Sequence, residues 1–371
     1  MKKLIYLDAP NVGKLEKQYL NKAIDLNFVS TVGPFVPAFE EVFAKRLKVG
    51  RAVSTQSGTA ALHAALYELG IGEGDEVIVP ALTFIATVNP VTQVGAKPVF
   101  ADIDINTWNI DPDSVKRCIT KRTRAIIPVH LYGNPCDMGS LKRIAKEHGL
   151  YIIEDATESL GATYDGKSTG TIGDLGCFSF NGNKIITTGG GGMIAGNNKK
   201  RMEHIKFLVN QARDESKGYF HPEIGFNYRM TNIEASLGLA QMNRLNTFLE
   251  KKKMYHHIYL QELGGIKAIT FQKEYSAARS SWWLTCILIN NKSGVPSLME
   301  TLKKKGIPSR RIFMPLVDHP PYKNICKNKF GNARFVYNRG LCLPGSTLDT
   351  TEDIRYICKI LKKELLNYGK N

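Results

Sequence analysis

A lysine near the middle of the chain has surroundings that suit nucleophilic chemistry. Lys184 follows the apolar, strand-like run of residues 175–180 and precedes a Thr-Thr-Gly turn. Because a lysine just past a buried strand is partly desolvated, its pKa falls and its amine is free to attack a carbonyl group. Lys184 is therefore predicted to form a Schiff base. The alternative is a solvated surface lysine, as most of the 50 Lys and Arg residues are expected to be.

Four consecutive glycines, residues 189–192, follow this lysine. They do not form a P-loop, which needs Lys and then Ser or Thr after its last glycine, whereas Met193 follows here. They do not form a dinucleotide-binding fingerprint either, because no long helical pattern begins at this point. We interpret the glycines as a place where the backbone passes close to a cofactor or to a partner chain.

A carboxylate lies at a second position that suits ligand binding. Asp155 directly follows the apolar run of residues 150–154, and ligands in open parallel sheets bind at the carboxyl ends of the strands. Its carboxylate either caps the next helix or keeps a heteroaromatic nitrogen protonated, so that a pyridinium ring can withdraw electrons from a carbanion. Glu154 and Glu158 flank it.

A phosphate-binding turn is predicted at residues 54–59, STQSGT, where a helical pattern begins. Free backbone N–H groups and the positive end of the helix dipole favour a phosphate there, Gly58 permits close approach, and Thr59 adds a hydroxyl donor. Ordinary helix capping is the alternative. A phosphate site, a carboxylate for a ring nitrogen and a lysine for an aldehyde together match pyridoxal phosphate. Phe84 either stacks on the cofactor ring or belongs to the core.

The segments that must position these residues alternate between strand and helix. Strand-like runs occupy residues 76–80, 98–101, 125–130 and 150–154, and helical patterns occupy residues 112–119 and 138–148. Strands joined by short helical crossovers predict an α/β fold with a parallel sheet covered on both faces. Residues 77–96 carry no charge, but their prolines, threonines, Asn and Gln favour a buried strand and turn over a membrane helix.

Both flanks of this region are largely helical. Helices at residues 14–26 and 35–47 are predicted to form an arm over the large domain or over a neighbouring subunit. After residue 196 the patterns indicate a small mixed domain, with helices at 199–211, 232–259, 295–305 and 351–366 and a strand at 282–289. Since 371 residues exceed the usual single core, we assign residues 1–245 to the arm and large domain and residues 246–371 to a small C-terminal domain.

Composition narrows the class of protein. The net charge of +16 suggests nucleic-acid binding, but the basic residues come in short runs without interleaved aromatic residues, which favours solvated faces. The seven cysteines, of which Cys326 is one, include no CxxC pair, so a reducing cytoplasm and no structural metal are predicted. The apolar run near the N-terminus is too short for a signal peptide.

Over nearly its whole length the chain resembles the DegT/DnrJ/EryC1/StrS family of sugar aminotransferases. The blocks that carry the resemblance are, in order, SGTAALHAAL, PALTFIAT, RAIIPVHLYGNPCDM, IIEDATESLGATYDGKSTGTIGD, FSFNGNK and GFNYRMTNIEASLGLAQ. The resemblance implies an aspartate-aminotransferase-like fold, with a large domain that binds pyridoxal 5'-phosphate (PLP) and a smaller C-terminal α/β domain. It also implies a homodimer whose two active sites lie at the subunit interface.

Position by position, the resemblance assigns roles to single residues. It makes Lys184 the Schiff-base lysine, Asp155 the partner of the pyridinium nitrogen, and Phe84 the aromatic residue stacked on the ring. The phosphate ligands that it implies are Gly58, Thr59, Ser179 and, from the other subunit, Asn227.

Two positions depart from the family pattern. Gly190 stands where the family often has Glu, and the cofactor-site position of Glu158 is Gln or His in many members.

Arg229, Arg311 and His319 lie in segments that could meet a sugar diphosphate, with ordinary surface roles as the alternative.

The implied reaction transfers the amino group of L-glutamate to the 4-keto carbon of a nucleotide-linked 4-keto-6-deoxy sugar. The EDATES and FNGNKIITTGGGGM variants most resemble the branch acting on UDP-linked N-acetylhexosamines in bacillosamine and legionaminic acid pathways. GDP-linked and dTDP-linked sugars stay open. Members that deoxygenate sugars carry histidine at the lysine position, so Lys184 argues against that reaction. Two rivals remain: a nucleic-acid-binding protein with salt-dependent retention on DNA, and a cofactor-bound regulatory homologue without turnover.

Overall fold

The computed structural model describes residues 4–291, 294–323, 325 and 329–368. Cys326 lies outside the described residues. The helices are α1 (Lys14–Asp25), α2 (Phe35–Leu47), α3 (Gly58–Glu68), α4 (Asn89–Gln93), α5 (Pro112–Cys118), α6 (Met138–His148), α7 (Lys199–Leu208), α8 (Asn232–Leu263), α9 (Gly294–Lys304), α10 (Gly331–Arg339) and α11 (Thr351–Tyr368). The strands are β1 (Arg51–Thr55), β2 (Glu76–Pro80), β3 (Lys97–Ala101), β4 (Thr123–Ile126), β5 (Tyr151–Asp155), β6 (Thr163–Tyr164), β7 (Lys167–Ser168), β8 (Leu175–Ser179), β9 (Gly192–Gly196), β10 (Ile269–Phe271), β11 (Ala278–Arg279), β12 (Cys286–Ile289), β13 (Arg310–Arg311) and β14 (Gly340–Cys342).

A seven-stranded sheet forms the centre of the large domain, in the order β1-β9-β8-β5-β4-β2-β3. The strands from β8 to β3 pair in parallel, which confirms the mostly parallel sheet predicted from the alternation of strands and helices. At the other edge β9 pairs antiparallel with both β8 and β1. The chain turns back there without a crossover helix, so the new strand must run in the opposite direction.

Apolar side chains on both faces of this sheet are buried. Along β2, Val77 and Val79 pack into the core cluster that holds residues of α2 and α3. Ile78, which points the other way, packs with Val115 of α5 and Leu141 of α6. A strand covered on both faces reads as a continuous apolar run, which explains the uncharged sequence of this region. Among the described residues, no helix is long and apolar enough to cross a membrane.

The C-terminal part has its own antiparallel sheet, in the order β10-β12-β14-β13, and its own core. Local backbone conformation moves the ends of two predicted elements. The strand predicted at residues 282–289 begins at Cys286, because Trp282 has a left-handed φ of 50° that a strand cannot contain. The helix predicted at residues 199–211 ends at Leu208, shortly before two residues with positive φ.

A single helix crosses the predicted domain boundary. Because α8 is continuous, the chain has no break between residues 245 and 246. Helices α1 and α2 pack on α8, in line with an arm over the large domain. The residues before α1 instead pack on the C-terminal part of the same chain: Ile5 lies in its core, and the Tyr6 N–H donates to Asp349 Oδ1 at 3.2 Å.

A buried ion pair fixes this N-terminal segment. Lys252 of α8 donates to Asp8 Oδ1 at 3.0 Å and to the backbone oxygen of Trp283 at 2.9 Å. Burial raises the pKa of Asp8 to about 6, although the neighbouring ammonium opposes the shift. The pair therefore connects the start of the chain, the long helix and the segment that precedes β12.

A buried carboxylate anchors the loop at the end of β5. Glu154 is 0 % exposed and accepts backbone N–H bonds from Gly170 at 2.8 Å, Ile172 at 2.5 Å and Gly173 at 2.6 Å. The His130 ring lies 3.0 Å from the same carboxylate. Several donors converge on one side chain, so the loop and the strand end form one rigid unit.

Replacing Glu154 by Gln is expected to lower the free energy of unfolding by about 2–4 kcal/mol, because an amide nitrogen would face buried N–H donors. Urea unfolding of the cofactor-free protein measures this loss. The matched control, Glu147→Gln on the exposed face of α6, should change stability by no more than about 0.5 kcal/mol. Equal stability of the two variants would contradict the anchoring role.

Candidate active site

A cavity of about 310 Å³ lies where the carboxyl ends of β5 and β8 meet the N-terminus of α3. Seven residues singled out from the sequence line it: Gly58, Thr59, Phe84, Asp155, Glu158, Ser179 and Lys184. They come from separate stretches of the chain, and the sheet order brings them to one edge. This is the place where open α/β sheets bind their ligands.

The Asp155 carboxylate is buried and held in a fixed direction. The Thr87 hydroxyl donates to its Oδ2 at 2.7 Å, and Thr157 donates its backbone N–H at 3.1 Å and its hydroxyl at 2.7 Å to Oδ1. The segment after β5 forms turns and no helix, so the helix-capping alternative is wrong. A fixed carboxylate at this edge can accept a hydrogen bond from a protonated ring nitrogen.

The Lys184 amine is largely shielded from water, since its side chain is only 15 % exposed. Its Nζ lies 3.7 Å from Glu158 Oε1 and 4.1 Å from the centre of the Trp283 ring. Burial lowers the pKa of Lys184, while the negative charges of Glu158 and Asp155 act in the opposite direction. A lysine in this state loses its proton more readily than a surface lysine and is a better nucleophile.

The loop that carries this lysine is closed at its base and fixed from the side. The Phe180 N–H donates to Gly191 O at 3.0 Å, and the Thr188 N–H donates to Phe180 O at 2.9 Å. From the segment before β12, the Trp283 Nε1–H donates to Asn183 O at 2.7 Å. These bonds hold the residue before the lysine and both ends of its loop.

Two glycines let this loop approach the N-terminus of α3. A Cβ on Gly58 would lie 2.9 Å from both Ser179 Cβ and Thr157 Cγ2. A Cβ on Gly192 would lie 2.4 Å from Ser57 O, so the glycine run passes close to the backbone of its own chain, while its predicted approach to a cofactor or a partner chain stays a prediction.

The first turn of α3 lines the cavity and can present backbone N–H groups to an anion. The Ser57 hydroxyl caps the helix by accepting the N–H of Ala60 at 3.0 Å, which does not use the N–H groups of Gly58 and Thr59. The Ser179 hydroxyl lies beside them in the same cavity. Capping and phosphate binding are therefore compatible at this terminus.

Aromatic side chains form the opposite wall. Phe84 is 53 % exposed, which excludes the core alternative, and its ring lies 5.5 Å from that of Phe313. Phe313 stacks on Tyr132 at 5.3 Å, and the Tyr132 backbone N–H donates to Glu158 Oε2 at 2.8 Å. Burial raises the pKa of Glu158, against the opposing effects of Lys184 and this N–H bond.

Sequence reasoning missed several residues that line or brace the cavity. Thr87 and Thr157 lie within the same blocks as Phe84 and Asp155, so their spacing could have indicated them. Trp283, Arg310 and Phe313 come from the C-terminal part, and no motif in the sequence ties them to the lysine.

Four predicted site residues lie outside this cavity in the chain: Asn227, Arg229, Arg311 and His319. The Arg229 side chain donates to Thr31 O at 2.6 Å and lines a different cavity, together with Arg213. Asn227 is exposed, and His319 follows a short 3-10 helix. None of these four residues lines this chain's own cavity, and the roles suggested for them stay predictions.

The arginine that enters the cavity is the neighbour of the predicted one. Arg310 and Arg311 are successive residues of β13, and successive side chains of a strand point to opposite faces. Arg310 lines the cavity. The Arg311 guanidinium lies 4.4 Å from the Tyr337 ring centre and donates to Tyr337 O at 3.0 Å. Arg311 does not line this cavity, and the contact with a sugar diphosphate that the sequence suggested for it stays a prediction.

These residues fit PLP. The buried amine with its lowered pKa suits the aldehyde of PLP. The carboxylate fixed by three hydrogen bonds suits the ring nitrogen. The helix terminus, which has no room for a Cβ at its first position, suits the phosphate. The fold and the site define a fold-type I, PLP-dependent aminotransferase.

The chain belongs to the DegT/DnrJ/EryC1/StrS aminotransferase family, whose model matches residues 10–362. It is 39% identical to the GDP-perosamine synthase of Vibrio cholerae, over 95% of this chain and 97% of that one. It is 40% identical to the GDP-perosamine synthase of Caulobacter vibrioides, over 98% of each. The solved PLP form of Spr1654 from Streptococcus pneumoniae superimposes with a TM-score of 0.94 at 27% identity, over 98% of this chain and 99% of that one. The resemblance and the cofactor predicted from the sequence are confirmed.

Replacing Glu158 by Gln is expected to lower the pKa of Lys184 further, because the variant removes a negative charge that stabilises the ammonium. In the cofactor-free protein, the pH dependence of Lys184 acetylation by acetic anhydride, followed by peptide mass spectrometry, reports this titration. Its midpoint should move to lower pH in Glu158→Gln and stay in place in Glu147→Gln. A midpoint that moves upward would refute the electrostatic coupling.

Proposed function

We propose that this protein transfers the amino group of L-glutamate to the 4-keto carbon of a nucleotide-linked 4-keto-6-deoxy sugar. The observation that carries the proposal is the buried Lys184 amine, in one cavity with the Asp155 carboxylate and the N-terminus of α3. When bound, PLP supplies an aldehyde that accepts amino groups and a ring that withdraws electrons.

The proposed roles follow from position in the cavity. Lys184 Nζ would hold the PLP aldehyde, and the same amine would take the α-proton of the donor and return it, a role in general acid–base catalysis that contributes roughly 10²–10⁴-fold to the rate. Asp155 keeps the ring nitrogen protonated. The N–H groups of Gly58 and Thr59 and the Ser179 hydroxyl hold the phosphate.

The first candidate for the acceptor is a UDP-linked 4-keto-6-deoxy-N-acetylhexosamine, used for a surface polysaccharide or another glycan. Its support is the EDATES and FNGNKIITTGGGGM blocks around Asp155 and Lys184. A GDP-linked 4-keto-6-deoxy sugar is the second candidate, favoured by the two GDP-perosamine synthases at 39% and 40% identity. A dTDP-linked sugar is the third.

We also propose a cytoplasmic homodimer in which the partner subunit's Asn227 completes the phosphate site. Asn227 is exposed in this chain, away from the cavity. Large apolar side chains nearby in sequence are also exposed, with Tyr219 at 86 % and Ile224 at 74 %, as is Val32 of the N-terminal region at 63 %. Large exposed apolar patches are typical of subunit interfaces, and we propose that these side chains belong to one.

Lys184→Ala is expected to lower turnover by about 10³-fold or more, because the variant has neither the attachment point nor the proton carrier. Borohydride treatment of the wild-type protein loaded with PLP should leave a reduced adduct on the Lys184 peptide, detected by mass spectrometry. Lys146→Ala, on the exposed face of α6, serves as control and should keep full activity. Undiminished turnover of Lys184→Ala would overturn the assignment.

A panel of UDP-, GDP- and dTDP-linked 4-keto-6-deoxy sugars separates the acceptors. We expect the UDP-linked sugar to have a kcat/KM at least about tenfold above the others, a difference of about 1.4 kcal/mol in transition-state binding. A reversed order would favour the GDP-linked candidate.

Glutamate alone should remove the absorbance of the lysine-bound cofactor. If that absorbance persists, the result favours the regulatory homologue without turnover.

A further inference from the structure

One cation in the cavity has two hydrogen-bond donors without an acceptor in the described part of the chain. Arg310 Nε and Nη2 are both buried, and within the described part of the chain neither atom has a hydrogen-bond partner. The guanidinium lies between two aromatic rings, with Cζ at 5.8 Å from the Trp283 ring centre and 5.6 Å from that of Phe313. Ring faces attract the charge but accept no strong hydrogen bond, so both donors stay available.

A buried guanidinium whose N–H donors have no acceptor destabilises the folded protein unless a ligand supplies that acceptor. The neighbouring Arg311 uses its Nη2 to donate to Tyr337 O and lies over the Tyr337 ring, so among the described residues only its Nε is buried without a hydrogen-bond partner. Arg310 instead lines the cavity that holds Lys184. The arrangement indicates an anion that enters with a substrate.

The position of Arg310 indicates which substrate anion it binds in the cavity. Lys184 Nζ and the Arg310 guanidinium both lie near the Trp283 ring, so the guanidinium is close to the reacting amine of Lys184. In an α-amino acid the carboxylate is attached to the carbon that bears the amine. In a nucleotide sugar the hexose ring separates the diphosphate from the 4-keto carbon. The cofactor phosphate has its own site at the first turn of α3.

The shape of the unpaired edge agrees with this choice. Nε and Nη2 form the side of a guanidinium that binds a carboxylate through two parallel hydrogen bonds. We propose that Arg310 binds the α-carboxylate of the amino donor and thereby places its amine and α-proton beside Lys184. This inference rests on the proposed function and identifies the donor-recognition residue of that site.

Arg310→Lys tests the proposal, because it keeps the positive charge and removes the Nε and Nη2 pair that can donate two parallel hydrogen bonds. In the PLP-loaded variant, the L-glutamate concentration for half-maximal rate of the first half-reaction should rise by about 30-fold or more. The keto-sugar dependence of the second half-reaction should change by less than about threefold. Arg311→Lys, on the opposite face of β13, should leave both unchanged. An unchanged glutamate dependence, or a loss confined to the sugar, would overturn the proposal.

A binding measurement avoids turnover. Glutarate added to the cofactor-free protein should perturb tryptophan emission through Trp283, in the wild type and in Arg311→Lys but much less in Arg310→Lys. Equal binding by all three proteins counts against the proposal.

A comparison of donors needs no variant. Wild-type protein should strongly prefer L-glutamate over 4-aminobutanoate, which lacks the α-carboxylate, and equal use of both donors would overturn the proposal. If the wild type reacts with neither donor, the proposed function fails and this inference fails with it. If it reacts with glutamate and Arg310→Lys reacts equally well, only the assignment of Arg310 fails.

Discussion

Removal of one amine from water is the condition on which this site depends. Burial destabilises the Lys184 ammonium, and the charges of Glu158 and Asp155 restore part of what hydration would have supplied. The Trp283 ring covers the amine, and its Nε1–H fixes the loop through Asn183. The same amine can therefore act first as a nucleophile and then as a proton carrier, since both tasks need a lysine that gives up its proton easily and stays in one place.

Close backbone packing provides the second constraint. The lysine loop, the end of β8 and the first turn of α3 meet at distances that leave no room for a Cβ at Gly58 or Gly192. The glycines after the lysine also allow β9 to return antiparallel beside β8, against the direction of the central strands. The first turn of α3 and the loop of Lys184 are thus both held on a rigid frame of backbone.

The sequence predicted those parts of the molecule whose signals are local. Lys184 and Asp155 each follow an apolar strand within one short block, and the strand order brings such positions together at one edge. Trp283 and Arg310 could not be found in this way, because they reach the cavity through the packing of the C-terminal part. The sequence also could not show that Arg310 lines the cavity and Arg311 does not, since a two-residue strand gives no alternation from which to predict its buried face.

The packing of Ile5 and Tyr6 on the C-terminal part has a consequence for biosynthesis. A ribosome makes Ile5 well before α11, yet both contribute side chains to one core. That core stays incomplete until α11 has left the exit tunnel, so the nascent chain exposes apolar surface until then. The Trp283 segment beside the reactive amine, which Lys252 connects to Asp8, therefore reaches its final packing late in synthesis.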